Sequence, residues 1–281
     1  AAMVKQDEVR RTLANSLLLE EYSDSIKKEW AIKLISLESD DTPGTQAGPL
    51  IEILSSQVLE SFQRVSGIKD ISKDAIREYE LSPHLSHLLF YFANDLYLFS
   101  RENGDVERLT FSGIEKEEFQ FSPDGQLVAY IEEYNLWVLD TKTKEARKLT
   151  SHGSENLLHG KLDWVYQEEV FGRGNFRGFW WSPDSQNLAF LRIDESPVKK
   201  FPMEDDSVDY GNLRLMSYPK AGTSNPVVDI GIVKARGGET VWVDLSSYPA
   251  STRLIVGLGF SSDSSQLMYQ VQNRTQSLLH L

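Results

Sequence analysis

The sequence predicts a mainly β protein: a partial β-propeller of four-stranded antiparallel blades, preceded by a partly helical N-terminal arm. Three matched offsets carry this. Leu81-Ser82-Pro83 returns 40 residues later as Phe121-Ser122-Pro123. Asn94-Asp95-Leu96-Tyr97-Leu98 is mirrored by Tyr134-Asn135-Leu136-Trp137-Val138, and Arg108-Leu109-Thr110 by Lys148-Leu149-Thr150, again 40 apart. A period near 40 with several short strands per repeat is a propeller signature, because one such unit cannot cover both faces of its sheet and must stack on neighbours. The turn signal returns at Trp180-Trp181-Ser182-Pro183-Asp184 and at Gly259-Phe260-Ser261-Ser262-Asp263, at spacings of 60 and 79, so insertions interrupt the array. A β-sandwich with coincidental Ser-Pro turns competes, but three landmarks holding one offset weigh against it.

In chain order, residues 4–35 place apolar groups at Val4, Val9, Leu13, Leu17, Leu18, Tyr22, Ile26 and Trp30, steps that predict helix. Segment 37–49 is linker-like in its Pro, Gly and paired acids. Residues 50–66 predict a second helix, with Gly67 as its C′ residue. From about residue 80 the period drops towards two. Phe119–Phe121 precedes the turn Ser122-Pro123-Asp124-Gly125; Leu127–Glu132, Leu136–Asp140 and Ala146–Leu149 then read as strands with turns at Tyr134-Asn135 and Thr141–Lys144. Residues 1–75 are therefore expected to form the arm. Residues 76–281 are expected to form about four blade units, an incomplete ring belonging to the front part of a longer protein.

Composition narrows the function classes. With 281 residues, 40% hydrophobic, 18 Gly and 10 Pro, the chain is ordinary globular material. No 18-residue apolar stretch exists, so no membrane segment is expected. The formal charge is −13, from 42 acidic against 29 basic residues, which argues against nucleic acid as a partner. The absence of cysteine excludes disulfides, Cys-ligated zinc and a thiol nucleophile. Ala1-Ala2-Met3-Val4-Lys5 holds no apolar h-region, so no signal peptide is visible; cytoplasm and periplasm both stay open.

No catalytic apparatus is visible in this chain: there is no G-x-S-x-G elbow, P-loop, Rossmann or H-E-x-x-H motif. No cofactor and no metal are expected. His84 and His87 read as polar turn residues, His152 and His159 as solvated loop residues, and Lys199-Lys200 and Glu204-Asp205-Asp206 as a solvated insertion. The unusual segment is Lys161–Trp181, an insertion between blade units. Asp163 is placed to cap a short helix running through Glu169, with Trp164 and Phe171 as apolar anchors. Two carboxylates there converge on one cation, or simply favour the positive end of the helix. A primary ammonium, with three donors and one charge, is a suitable guest. Trp180 and Trp181 read as blade core.

Asp163-Trp164-Val165-Tyr166-Gln167-Glu168-Glu169-Val170-Phe171, followed by Trp180-Trp181-Ser182-Pro183-Asp184, resembles the dipeptidyl peptidase IV family of prolyl-oligopeptidase-type serine peptidases, whose pattern is D-W-V-Y-E-E-E-[VL]-F, then W-W-S-P. Arg192-Ile193-Asp194-Glu195-Ser196-Pro197-Val198, Tyr218-Pro219-Lys220-Ala221-Gly222 with Asn225-Pro226, and Phe121-Ser122-Pro123-Asp124-Gly125 agree in order, so the resemblance spans roughly residues 80–281. It implies a propeller capping a C-terminal α/β-hydrolase domain that carries the Ser, Asp and His of catalysis. It implies that Glu168 and Glu169 bind the free N-terminal ammonium of a peptide, so that an Xaa-Pro or Xaa-Ala dipeptide is released. It also implies that the enzyme is often a homodimer. Gln167 replaces the first Glu of the run and, not being an amine-binding position, is expected to matter little. The family's carbonyl-binding Arg has no match here: neither Arg101 nor Arg108 sits in a corresponding motif. The alternative from another class is a non-catalytic propeller acting as a protein-interaction module, such as an inactive family member.

Overall fold

The computed structural model describes residues 9–14, 17–24, 29–36, 49–65, 79–205 and 212–281, with side chains for 56–65, 79–203 and 213–281. Two compact units are present: residues 1–81, 86–92 and 96–108 in one, and 82–85, 93–95 and 109–281 in the other. The protein is mainly β, built of antiparallel sheets, several of them four-stranded.

In the first unit, β1 (Val9–Ala14), β2 (Leu17–Asp24), β3 (Glu29–Ser36) and β4 (Pro49–Leu54) pair in sequence order as one antiparallel sheet. This corrects the helix expected over 4–35. Apolar steps of three to five also arise where short strands follow one another through tight turns, and pairing such as Leu18 with Ile35 and Leu19 with Leu34 overrides the helical spacing. Residues 37–48 of the linker-like stretch and Gly67 lie outside the described residues. Within the expected second helix, α1 forms over Ser55–Arg64. Its Val58 and Phe62 are buried against Leu88, Phe90, Tyr97 and Phe99. Those four belong to β6 (His87–Phe92) and β7 (Asp95–Ser100), which lie between β5 (Tyr79–Leu81) and β8 (Val106–Arg108) in a second four-stranded meander.

The second unit begins with the meander β9 (Glu117–Phe121), β10 (Leu127–Glu132), β11 (Asn135–Asp140) and β12 (Ala146–Lys148). Both residues at the β10–β11 corner, Glu133 and Tyr134, have positive φ, as do Ala93 and Asn94 between β6 and β7, so the 40-residue offset holds to the residue. Such paired left-handed residues match the twist of the flanking strands.

Next comes a five-stranded sheet. β15 (Asn187–Asp194) pairs with β18 (Val227–Lys234), which pairs with β19 (Val241–Trp242). The other edge of β15 is shared by two short strands. β13 (Leu157–His159) covers Arg192–Asp194, and β14 (Phe179–Trp181) covers Leu188–Phe190. One strand position is thus split, and residues 160–178 leave the sheet between its halves. Between β15 and β18 a two-stranded ribbon is inserted, β16 (Lys200–Asp205) with β17 (Asn212–Ser217). That corrects the solvated loop expected around Lys200 and Glu204-Asp205. The sheet β20 (Arg253–Phe260), β21 (Leu267–Asn273) and β22 (Leu279–His280) completes the described chain.

Burial follows the stacking of successive sheets. Ile131, Leu136 and Val138 of one sheet pack with Phe179, Leu188, Phe190 and Val233 of the next, with Trp181 against them. Leu191, Ile193, Val228 and Ile230 pack in turn with Ile255 and Val271, with Trp180 alongside. Each repeated turn closes on itself. The Ser122 hydroxyl donates to Asp124 at 2.6 Å and accepts the Leu127 N–H at 2.9 Å; Ser182 and Ser261 do the same with Asp184 and Asp263. Adjacent turns are linked as well: the Asp124 N–H donates to Ser185 Oγ at 3.1 Å, and the Asp184 N–H to Ser264 Oγ at 3.0 Å.

Candidate functional site

The split strand sets the site. Where the chain leaves the sheet, Gly160 N–H donates to Leu191 O at 2.9 Å; where it returns, Gly178 N–H donates to Gly160 O at 2.9 Å. A Cβ on Gly160 would lie 3.1 Å from Ile131, and one on Gly178 would lie 3.0 Å from Leu162 and 3.2 Å from the Gly160 carbonyl carbon. The two glycines let the insertion's ends touch, so the excursion starts and finishes on a rigid sheet rather than a hinge.

Within it, Tyr166–Val170 forms a single π-type turn closed by the Phe171 N–H on Tyr166 O at 2.8 Å. Asp163, 5% exposed, accepts the Tyr166 N–H at 3.1 Å through Oδ1, as expected of a cap. Tyr166 is fully buried, and its hydroxyl accepts the Ile255 N–H of β20 at 3.1 Å, tying the turn to the next sheet. Phe171 lies between Tyr166 and Trp180, with ring centroids 6.2 and 5.5 Å away, and Trp164 packs on Tyr218 at 4.4 Å. Both predicted anchors are therefore used.

With Tyr166 and Gln167 buried, the next two residues face outward: Glu168 is partly buried and Glu169 exposed. The Arg173 Nε lies 2.6 Å from Glu168 Oε2. The contact is ionic without hydrogen-bond alignment, so Oε2, itself buried, accepts no hydrogen bond among the described residues. Glu169 has no ion-pair partner among them. The turn thus carries two consecutive acidic residues, one of them with a buried oxygen that accepts no hydrogen bond among the described residues.

Three titratable groups in the insertion or at the ends of the strands next to it are perturbed. Burial pushes the Asp163 carboxyl up to about 6. Burial, reinforced by the Asp163 charge, pushes Glu195 up to about 7. His159, expected in solvent, is buried at the end of β13 beside Phe190. Burial, then the Arg192 charge, pulls its imidazole down to about 4, so the ring is neutral at pH 7. Its loop composition concealed a β13 register that turns it inward. Gln167 also has a task its sequence position did not suggest: it is buried, and its Oε1 accepts the Gly174 N–H at 2.9 Å, holding the return of the insertion. Among the described residues no cluster of His, Asp or Glu could hold a metal ion, and no helix is long and apolar enough to cross a membrane.

Residues 92–281 match the family described as the dipeptidyl peptidase IV (DPP IV) N-terminal region. The probable dipeptidyl-aminopeptidase B of Ajellomyces capsulatus is 33% identical over 172 residues, covering 57% of this chain and 18% of that protein. The probable dipeptidyl-aminopeptidase B of Coccidioides posadasii is 29% identical over 170 residues, covering 56% and 18%. Among solved structures, Porphyromonas gingivalis dipeptidyl peptidase 4 superposes with a TM-score of 0.73 at 24% identity, over 98% of this chain and 37% of that one. A putative dipeptidyl aminopeptidase IV from Bacteroides ovatus gives 0.61 at 19% identity, over 96% and 35%. The chain thus spans less than a fifth of the length of the curated relatives it matches.

Proposed function

Because this chain belongs to the dipeptidyl peptidase IV family, as its N-terminal region, we propose that it selects peptides for a dipeptidyl-peptidase-IV-like serine exopeptidase. Glu168 and Glu169 hold the peptide's free N-terminal ammonium. A C-terminal α/β-hydrolase domain then releases an Xaa-Pro or Xaa-Ala dipeptide. The observation that supports this reading is the π-type turn, which carries two consecutive acidic residues, Glu168 partly buried and Glu169 exposed, and in which a buried Glu168 oxygen accepts no hydrogen bond among the described residues. An ammonium would supply that bond and the charge. The pair works as a ruler: the amine is held at a fixed distance from the reacting bond, so cleavage falls after residue two. On this reading the chain by itself hydrolyses nothing.

The test uses the complete protein and an Xaa-Pro chromogenic substrate. Glu168→Ala or Glu169→Ala should lower kcat/KM by an amount equivalent to about 2–5 kcal/mol. Near wild-type activity in both variants overturns the reading. The protein-interaction alternative draws support from the ribbon β16–β17, whose Leu213 and Leu215 are exposed. The same surface would suit a homodimer contact. A G-W-S-Y-G-type elbow followed by Asp and His in the complete gene favours the peptidase; its absence favours the interaction module.

A further inference from the structure

We propose that Arg173 is a resident counter-ion of Glu168 that an incoming ammonium must displace, making it a specificity-determining residue of the site. The inference rests on the ammonium-binding reading above. Arg173 sits on the return limb of the same insertion as the two acids, with its Nε 2.6 Å from the buried Glu168 oxygen. Its own side chain is 85% exposed, against 25% for Glu168, so it can leave into water while the carboxylate stays behind. The residues on either side, Gly172 and Gly174, have φ of +103° and +80°, with open space where a Cβ would be. Arg173 can therefore turn away without a side chain on either neighbour obstructing it. Gln167 Oε1, bonded to the Gly174 N–H at 2.9 Å, holds that limb near Glu168.

Without a peptide, Arg173 neutralises part of a paired negative charge. With one, cation replaces cation. The guanidinium returns to solvent and the ammonium, with three donors, takes the oxygen that Arg173 contacts without hydrogen-bonding it. Free-amine affinity is thereby reduced, and weak cations are kept off the site. The predicted signature is competition on binding with no effect on the chemical step.

The experiment uses the complete protein and Ala-Pro-p-nitroanilide, with the dissociation constant of Ala-Pro-amide measured alongside, so that a protein without turnover is still tested. Arg173→Ala should lower KM, or that dissociation constant, about two- to fivefold at low ionic strength, the range of an exposed ion pair. It should leave kcat unchanged, and the gain should shrink towards nothing near 1 M salt. Arg173→Lys should restore affinity close to wild type, and N-acetyl-Ala-Pro-amide should gain nothing from Arg173→Ala. Unchanged or weakened affinity in Arg173→Ala, or an effect on kcat alone, overturns the counter-ion role. Glu168→Gln separates the two ideas. If it leaves Ala-Pro-amide affinity intact, the ammonium reading itself fails. If it weakens affinity strongly while Arg173→Ala brings no gain, only the counter-ion role fails.

Discussion

The sheet β9–β12 and the sheet built on β15 are two versions of one repeat. Both contain, between an outer strand and the next strand, a Ser-Pro-Asp turn in which the serine hydroxyl bridges the aspartate and a backbone N–H. Both bury apolar strands against a neighbour. In the first, the four strands run without interruption and every connection is a short turn. In the second, residues 160–178 interrupt one strand position and the ribbon β16–β17 extends another connection. The candidate site lies wholly in the first of those interruptions. The regular sheet supplies a rigid wall; the irregular one adds chemistry by leaving the sheet where both ends of the excursion remain hydrogen-bonded to it.

If that division is correct, substitutions should sort by region. The largest stability effect should come from the wall between the two sheets. Phe190 is fully buried there, and the Cβ position of Gly231 lies 2.5 Å from its ring. Phe190→Ala should cost about 3–5 kcal/mol in chemical denaturation. Peptide affinity of the remaining folded protein should stay close to wild type. A large affinity loss at full stability would erase the distinction between wall and site.

A smaller effect, confined to high pH, belongs to the insertion. Burial holds the folded-state carboxyl of Asp163 near 6, above its ordinary 3.8. The unfolded chain therefore releases that proton first. The stability contribution is complete below about pH 4 and is lost as pH rises through 6. Asp163→Asn keeps an acceptor for the Tyr166 N–H and removes the charge. It should match wild type at pH 4 and exceed it by about 3 kcal/mol at pH 8. The neutral His159 acts in the opposite sense: its contribution is complete above its ordinary 6.5 and is lost as pH falls through 4. Paired denaturation curves at the two pH values decide; equal curves at pH 8 would show that Asp163 carries no buried charge.

The smallest effect compares the turns. Ser182 is fully buried and its hydroxyl makes two strong contacts, so Ser182→Ala should cost about 1 kcal/mol. Ser261 makes the same bonds at an exposed turn, and Ser261→Ala should cost a few tenths of that by the same thermal scan, since water replaces what is lost. Equal losses would mean the turn's internal geometry matters more than its burial.

Much of the β-rich region was legible because its signals are local. Leu127–Glu132 was read as a strand and is one, β10, to the residue. Asp163 was read as a cap and accepts the expected N–H. Failures came where a residue's partner is distant in sequence. The apolar spacing over 4–35 fits helix or meander equally, and only strand pairing chooses. His159 looked solvated because its neighbours Ser154, Asn156 and Gly160 read as loop, and only the pairing of β13 with β15 turns it inward. Gln167 looked incidental because its partner, Gly174, lies beyond the turn.

The sequence by itself determined the repeat and the turns, since a serine hydroxyl reaching an aspartate two residues on needs no help from the rest of the chain. Tertiary structure alone decided which strand position is split, that Tyr166 reaches Ile255, 89 residues away, and that an arginine rests on Glu168. Local hydrogen bonds are specified by residue type and spacing. Contacts across sheets exist only once burial has brought the sheets together.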